Sequence, residues 1–267
     1  MAHSALGNGA KTRGIVLLLA AVGCAQALPP GSAQEPGVAA EQGAKPTAVA
    51  ITREPSHHKI IENDRVRVFK VEVAPHAATM LHQHDRDYLF VTLGDSEVSN
   101  EVAGRPAVRL QLKDGETHFT KGGFAHVARN LSDQPFRNVT IELAQPAQGK
   151  VTVCDPSREI CDEQRGQPCI VAGVISCTTK QTLIQAENFS VAQTMIPSGL
   201  TGATQDHPTA YLLVAISDLD LRSKSPRGSK RLIHQRAGDV EWMQPGTAET
   251  VTNAGKGTAR FITLDFK

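Results

Sequence analysis

The sequence has no excess of either charge, no long apolar run beyond its N-terminal region, and no stretch with a sustained helical period. Each absence removes a class. With 28 Lys and Arg against 27 Asp and Glu the net charge is +1, so the basic excess that neutralises phosphates is missing and nucleic acid is not an expected partner. A helix that crosses a bilayer needs about 20 apolar residues, and the one N-terminal run is shorter, which argues against a polytopic membrane protein. Helix-rich repeats are disfavoured because 22 Gly and 15 Pro punctuate the chain throughout. A hydrophobic share of 40% over 267 residues still supplies a packed core, for one large domain or two small ones.

The first residues read as an address. Lys11 and Arg13 precede the apolar run 15–21, and Ala25-Gln26-Ala27 follows with small residues two apart. That order of basic, apolar and small predicts a secretory signal peptide over 1–27, hence export to the periplasm or beyond. Ala21-Val22-Gly23-Cys24 also resembles the lipobox of bacterial lipoproteins, with Ala21 where Leu is usual, so a lipid anchor at Cys24 is an alternative end to the leader. Residues 28–52 are rich in Pro, Gly, Ala and Gln with almost nothing to bury, which predicts a disordered tether. The other four cysteines, Cys154, Cys161, Cys169 and Cys177, fall within one short segment. In an exported chain these predict two disulfides of unspecified pairing; a zinc knuckle is the weaker reading because C-x2-C pairs are absent.

From position 82 onward the chain matches itself without gaps at an offset of 123 residues. Tyr88-Leu89-Phe90-Val91 falls on Tyr211-Leu212-Leu213-Val214, and Gly115, Gly123, Ala125 and Asn130 fall on Gly238, Gly246, Ala248 and Asn253. Two copies are too few for a solenoid and predict a duplicated domain, over 53–145 and 176–267, with 146–175 as a cysteine-containing linker. Both copies are written for strands. Val108, Leu110 and Leu112 alternate with Arg109 and Gln111, while Val139, Ile141 and Leu143 alternate with Thr140 and Glu142. Glycine-bearing turns separate these runs, so the expected fold class is all-β, two tandem barrels.

Three of the ten histidines occupy informative places. His82 and His84 are two apart, so on a strand both project from one face. His126 follows the turn Gly122-Gly123 and can be brought against that pair. Set beside Gly94, Gly123 and Asn130, these residues resemble the two motifs of the cupin superfamily, and the duplication resembles a bicupin. The resemblance spans about 53–267 and implies jelly-roll barrels with His82, His84 and His126 as ligands of a divalent transition metal, whether Fe, Mn, Ni, Cu or Zn. The family's glutamate is not at its usual place: the spacing gives Tyr88 or Leu89, with Asp87 one residue short. The site is therefore three imidazoles, or those three with Asp87. Lys121 stands where proline is usual.

In the second copy His82, His84 and His126 map to Gln205, His207 and Glu249, a poorer ligand set that predicts a barrel without its metal. His57 and His58 are expected at the solvent, His76 and His118 as lone structural residues (His118 within reach of the cavity), and Trp242 in the core. The resemblance implies an oxidoreductase of dioxygenase type acting on a small organic molecule, with Tyr88 or Asp87 beside the ligands. Its rivals are a non-catalytic barrel that holds a small ligand or a metal, and a sugar isomerase-like cupin. A homodimer is left open.

Overall fold

The computed structural model describes residues 47–154, 170–171, 174–175, 177–202 and 204–267. The predicted leader with Cys24, most of the tether, and Cys161 and Cys169 lie outside the described residues.

Alternating branched and polar residues, broken by glycine turns, give β1 (Val49–Ala50), β2 (His57–Glu62), β3 (Val66–Val73), β4 (His82–His84) and β5 (Tyr88–Leu93). They continue as β6 (Ser96–Val102), β7 (Val108–Leu112), β8 (Thr117–Thr120), β9 (Phe124–Asn130) and β10 (Phe136–Leu143). These form two five-stranded sheets, ordered β1-β4-β9-β6-β7 and β2-β3-β10-β5-β8. The second half begins with β11 (Thr152–Val153), the small hairpin β12 (Ile170–Val171) and β13 (Val174–Ile175), then β14 (Thr179–Gln185), β15 (Phe189–Ile196) and β16 (Gln205–His207). It ends with β17 (Tyr211–Ala215), β18 (Leu219–Lys224), β19 (Lys230–Gln235), β20 (Val240–Met243), β21 (Gly246–Asn253) and β22 (Ala259–Phe266). Its sheets are ordered β11-β14-β15-β22-β17-β20 and β16-β21-β18-β19.

The run β2-β3-β10-β5-β8 in the first half corresponds to β14-β15-β22-β17-β20 in the second, so the sequence repeat is also a repeat of topology. Each half is a pair of packed sheets, and among the described residues no sheet closes on itself. Two boundaries differ from expectation. Val49 and Ala50, assigned to the tether, pair in parallel with His82 and Gln83, and Ile51 is buried in the first-half core. The tether reading fails there because the Val49-Ala50-Ile51 run is apolar enough to bury. Thr152 and Val153, assigned to the linker, pair with Gln185 and Ile184 and extend the second half's larger sheet. Cys154 is buried just after that strand.

The largest core lies between the halves. Val66, Val68, Leu89, Val91, Val139 and Ile141 pack with Ile184, Val191, Leu212, Val214, Ile262 and Leu264, all almost fully buried. Because side chains alternate across a strand, the residues between them face the other way, into the first half. Phe69, Val71, Val73, Val98, Leu112 and Phe136 fill one part of that interior.

The asparagine of the second motif has a structural role in both copies. Asn130 is fully buried, and its Nδ2 donates to the carbonyls of Val73, Ala74 and Gln134 while its Oδ1 accepts from Ser132 N–H. Asn253 repeats this with Ile196 O, Gly257 O and Gly255 N–H. Asn130→Ala strips those groups of their partner, and we expect a loss of about 2–4 kcal/mol from leaving several buried polar groups unmet. Urea unfolding measures it, and Asn253→Ala should cost a similar amount; a loss within error at either site would refute this role.

Candidate metal centre

Strands β4 and β9 run antiparallel with His82 directly opposite His126. Within β4 the pattern is buried, exposed, buried, so His82 and His84 turn inward and Gln83 outward. Glycine makes the turn that allows this. Gly123 has φ +88°, a conformation that favours glycine, and its N–H donates to His84 O at 2.7 Å. A Cβ on Gly122 would lie 2.5 Å from the Arg86 backbone, so that close approach also requires glycine.

The ring centroids of His82 and His126 are 4.5 Å apart, those of His82 and His84 5.1 Å, and those of His84 and His126 5.2 Å. The three candidates from separate motifs therefore meet inside one half. A fourth joins them. His57 reaches in from β2 on the facing sheet, with its ring 4.7 Å from His82 and 6.2 Å from His84. One ring nitrogen from each of His57, His82 and His84 lies within 4.8 Å of the other two. The expectation that His57 is solvent-exposed is thus overturned: its side chain is 5% exposed. The polar neighbours that suggested a surface include Glu54, which is itself buried and binds the imidazole. His58, the next residue on the strand, is exposed.

Each ring is oriented from behind. His82 Nδ1 contacts Met80 O at 2.9 Å and His126 Nδ1 contacts Asn100 Oδ1 at 2.7 Å. If those nitrogens donate, the Nε2 atoms carry the lone pairs, and both are buried without a hydrogen-bond partner. His84 stacks on Tyr88 with centroids 4.0 Å apart, and Glu142 Oε1 stands 3.6 Å from its Nδ1. Burial, reinforced by the neighbouring imidazoles, pushes His82 down to about 4 and His126 down to about 2. Burial also holds His84 below its ordinary value, against the opposing pull of Glu142. Neutral imidazoles with unshared, inward lone pairs are what a divalent transition metal requires, so the residues fit such an ion.

Asp87 does not take part. Its Oδ1 accepts from Gly122 N–H, and its Oδ2 accepts from Ala147 N–H and Lys121 Nζ. These bonds hold the carboxyl below its ordinary range against the opposing effect of burial, and they pin the motif turn to the loop that follows β10. It is a loop clamp, in place of the ligand considered above. Tyr88 does line the site, and burial pushes its phenol up to about 12, so it remains protonated. His118, one of the two residues expected to stand alone, stacks on Phe90 and borders the cavity, whereas His76 is exposed beside Asp133. The cavity is about 170 Å³, and none of its lining residues is Lys or Arg among the described residues.

The second half preserves the frame and lacks the ligand set. Gln205 pairs with Glu249 as His82 does with His126. His207 stacks on Tyr211 at 3.7 Å, but its Nδ1 contacts Asp265 and its Nε2 contacts Gln205 Oε1 at 3.1 Å. Glu249 accepts from Ser223 Oγ. No group of three close metal-ligating side chains occurs there among the described residues. Trp242 packs half-buried against the inter-half core, on Phe266.

This duplicated arrangement has solved counterparts. AerE from Microcystis aeruginosa superposes with a TM-score of 0.51 at 12% identity, over 80% of this chain and 98% of that one. An oxalate decarboxylase gives 0.52 at 11%, over 85% and 78%. The Bacillus subtilis oxalate decarboxylase, described with Mn(II) centres, gives 0.50 at 12%, over 80% and 76%. The chain has the cupin fold, in duplicate. No family model and no curated protein sequence matches it. In this duplicated fold the histidine cluster belongs to the first copy.

The depressed histidines set a pH dependence. In the unfolded chain these imidazoles take up protons near about pH 6.5, while in the folded chain His82 does so only near about 4. Between those values the unfolded state binds more protons, so stability is full above about 6.5 and falls as the pH falls. Melting temperatures of chelator-treated protein should therefore drop from pH 7 toward pH 5, and His82→Gln should shallow the drop. Equal slopes for the two proteins would contradict this account.

Proposed function

We propose that the first half is a metal-dependent centre, with His82, His84 and His126 as ligands, that carries out oxidoreductase chemistry of the dioxygenase type on a small organic molecule. The observation that supports it is the buried group of neutral imidazoles, with unpartnered nitrogens turned onto a small cavity. A divalent ion held there supplies a Lewis-acid or redox centre, and the second half serves as its packing partner. The chain's own residues do the rest. Tyr88 stays protonated and can donate a hydrogen bond, Phe90, Leu110 and Phe136 exclude water, and Asn138 and Thr140 offer polar contacts.

Export is part of the proposal, supported by the pattern of 1–27, and an oxidising compartment suits disulfides among Cys154, Cys161, Cys169 and Cys177. A lipid anchor at Cys24 and a homodimer are compatible with it.

Protein isolated from its native compartment should carry about one transition-metal ion per chain by elemental analysis. His82→Ala and His126→Ala should bring the content near zero, and His207→Ala should leave it unchanged. A variant lacking both His82 and His126 that keeps full metal would overturn the assignment. Oxygen uptake by iron-loaded protein with small organic substrates tests the reaction; no uptake with any preparation or substrate would leave a binding module.

A further inference from the structure

His57 belongs to neither motif. It comes from β2, on the sheet facing the one that bears His82, His84 and His126. A lone buried histidine is usually a satisfied structural residue, but this one differs in two ways. Its Nδ1 is engaged at 2.6 Å by Glu54 Oε2, which leaves Nε2 as its donor atom. With His82 and His84 it also forms a metal-compatible group among the described residues, the three ligand atoms lying within 4.8 Å of one another, and His126 adjoins that group with its ring 4.5 Å from His82 and 5.2 Å from His84. Two nitrogens on one transition-metal ion can be at most about 4.2 Å apart, twice a bond of about 2.1 Å, so a small inward rotation suffices.

Glu54 ties this histidine to the motif. It is 3% exposed, and both of its oxygens are used. Oε2 accepts from Ser56 N–H and contacts the His57 ring, while Oε1 accepts from Met80 N–H. Met80 O in turn contacts His82 Nδ1. One buried carboxylate thereby orients His57 directly and His82 through a single residue. The parallel pairing of Val49–Ala50 with His82–Gln83 and the short 3-10 turn Ile51–Arg53 deliver Glu54 to that position.

We propose that His57 is a fourth imidazole donor of the metal centre and that Glu54 is the residue that positions it. The proposal rests on the metal-binding reading above. It gives a site whose first motif lacks the family's carboxylate a neutral fourth ligand, with a negative charge standing behind the ring at Glu54.

Copper(II) alone serves as the probe, on the full chain, with two readouts. One is the number of coordinated nitrogens in the electron paramagnetic resonance spectrum, and the other is affinity by competition with a chelator. The wild type should show four nitrogens. His57→Ala should show three and bind at least about 10-fold more weakly. Glu54→Gln should retain four nitrogens, with altered spectral parameters and affinity lowered about 10- to 100-fold. If His57→Ala fails to fold by circular dichroism, His57→Gln supplies the same readout. An unchanged nitrogen count and affinity without His57 would overturn the fourth ligand, and an unchanged spectrum and affinity for Glu54→Gln would overturn its positioning role. Wild-type protein that binds no copper, or that is indifferent to His82→Ala, would instead remove the metal-binding reading on which both depend.

Discussion

The face-to-face packing of the sheet β2-β3-β10-β5-β8 on the sheet β11-β14-β15-β22-β17-β20 is the contact on which the rest of this molecule depends. It buries the apolar residues of β3, β5 and β10 against those of β15, β17 and β22. Each fully buried aliphatic side chain contributes about 1.5–3 kcal/mol relative to exposure. With that interface supplying the stability, the opposite faces of the same strands need not be wholly apolar. Strand β10 shows the result: it is buried along almost its whole length, and its polar residues Asn138, Thr140 and Glu142 face inward. A polar interior is tolerated in the first half because a second apolar core lies on the outside of its sheet.

That inversion explains what was legible in the sequence. Period-two alternation places the strands, and the offset of 123 residues places the repeat, because both follow from backbone geometry whichever face is buried. The alternation cannot say that the apolar side of β10 meets another sheet while its polar side meets a cavity. Glu142, 3.6 Å from His84, is for that reason invisible as a neighbour of the site. The histidines of β4 and β9 are legible because short local patterns, H-x-H and a glycine turn, carry them.

His57 and Glu54 lack any such pattern. Their place is set by the hairpin of β2 with β3 together with the pairing of β1 with β4, the latter a contact between segments well apart in sequence. The polar stretch around His57 resembles a solvated loop until the facing sheet is added. Asp87 misleads in the opposite direction: its spacing from His84 suggests a ligand, yet three donors from the adjoining loops claim its carboxylate. The one available signal was the cluster of Glu54, His57 and His58 just ahead of the first long strand, and it could not tell an inward histidine from an outward one.

The two halves also act as an internal control on the site. Both keep a tyrosine stacked on the second motif histidine, with a carboxylate from the last strand beside it: Tyr88, His84 and Glu142, then Tyr211, His207 and Asp265. What differs is how the nitrogens are satisfied. In the second half His207 contacts Asp265 and Gln205, Glu249 accepts from Ser223, and the register of β14 puts exposed Lys180 where the first half has His57. In the first half His82 Nε2 and His126 Nε2 are buried with no hydrogen-bond partner. Leaving such an atom unmet costs about 1–3 kcal/mol, and the same frame evidently accepts residues that would remove that cost. The open nitrogens belong to the copy whose buried imidazoles come from two facing sheets, and neutral imidazole is a donor that suits a divalent transition metal.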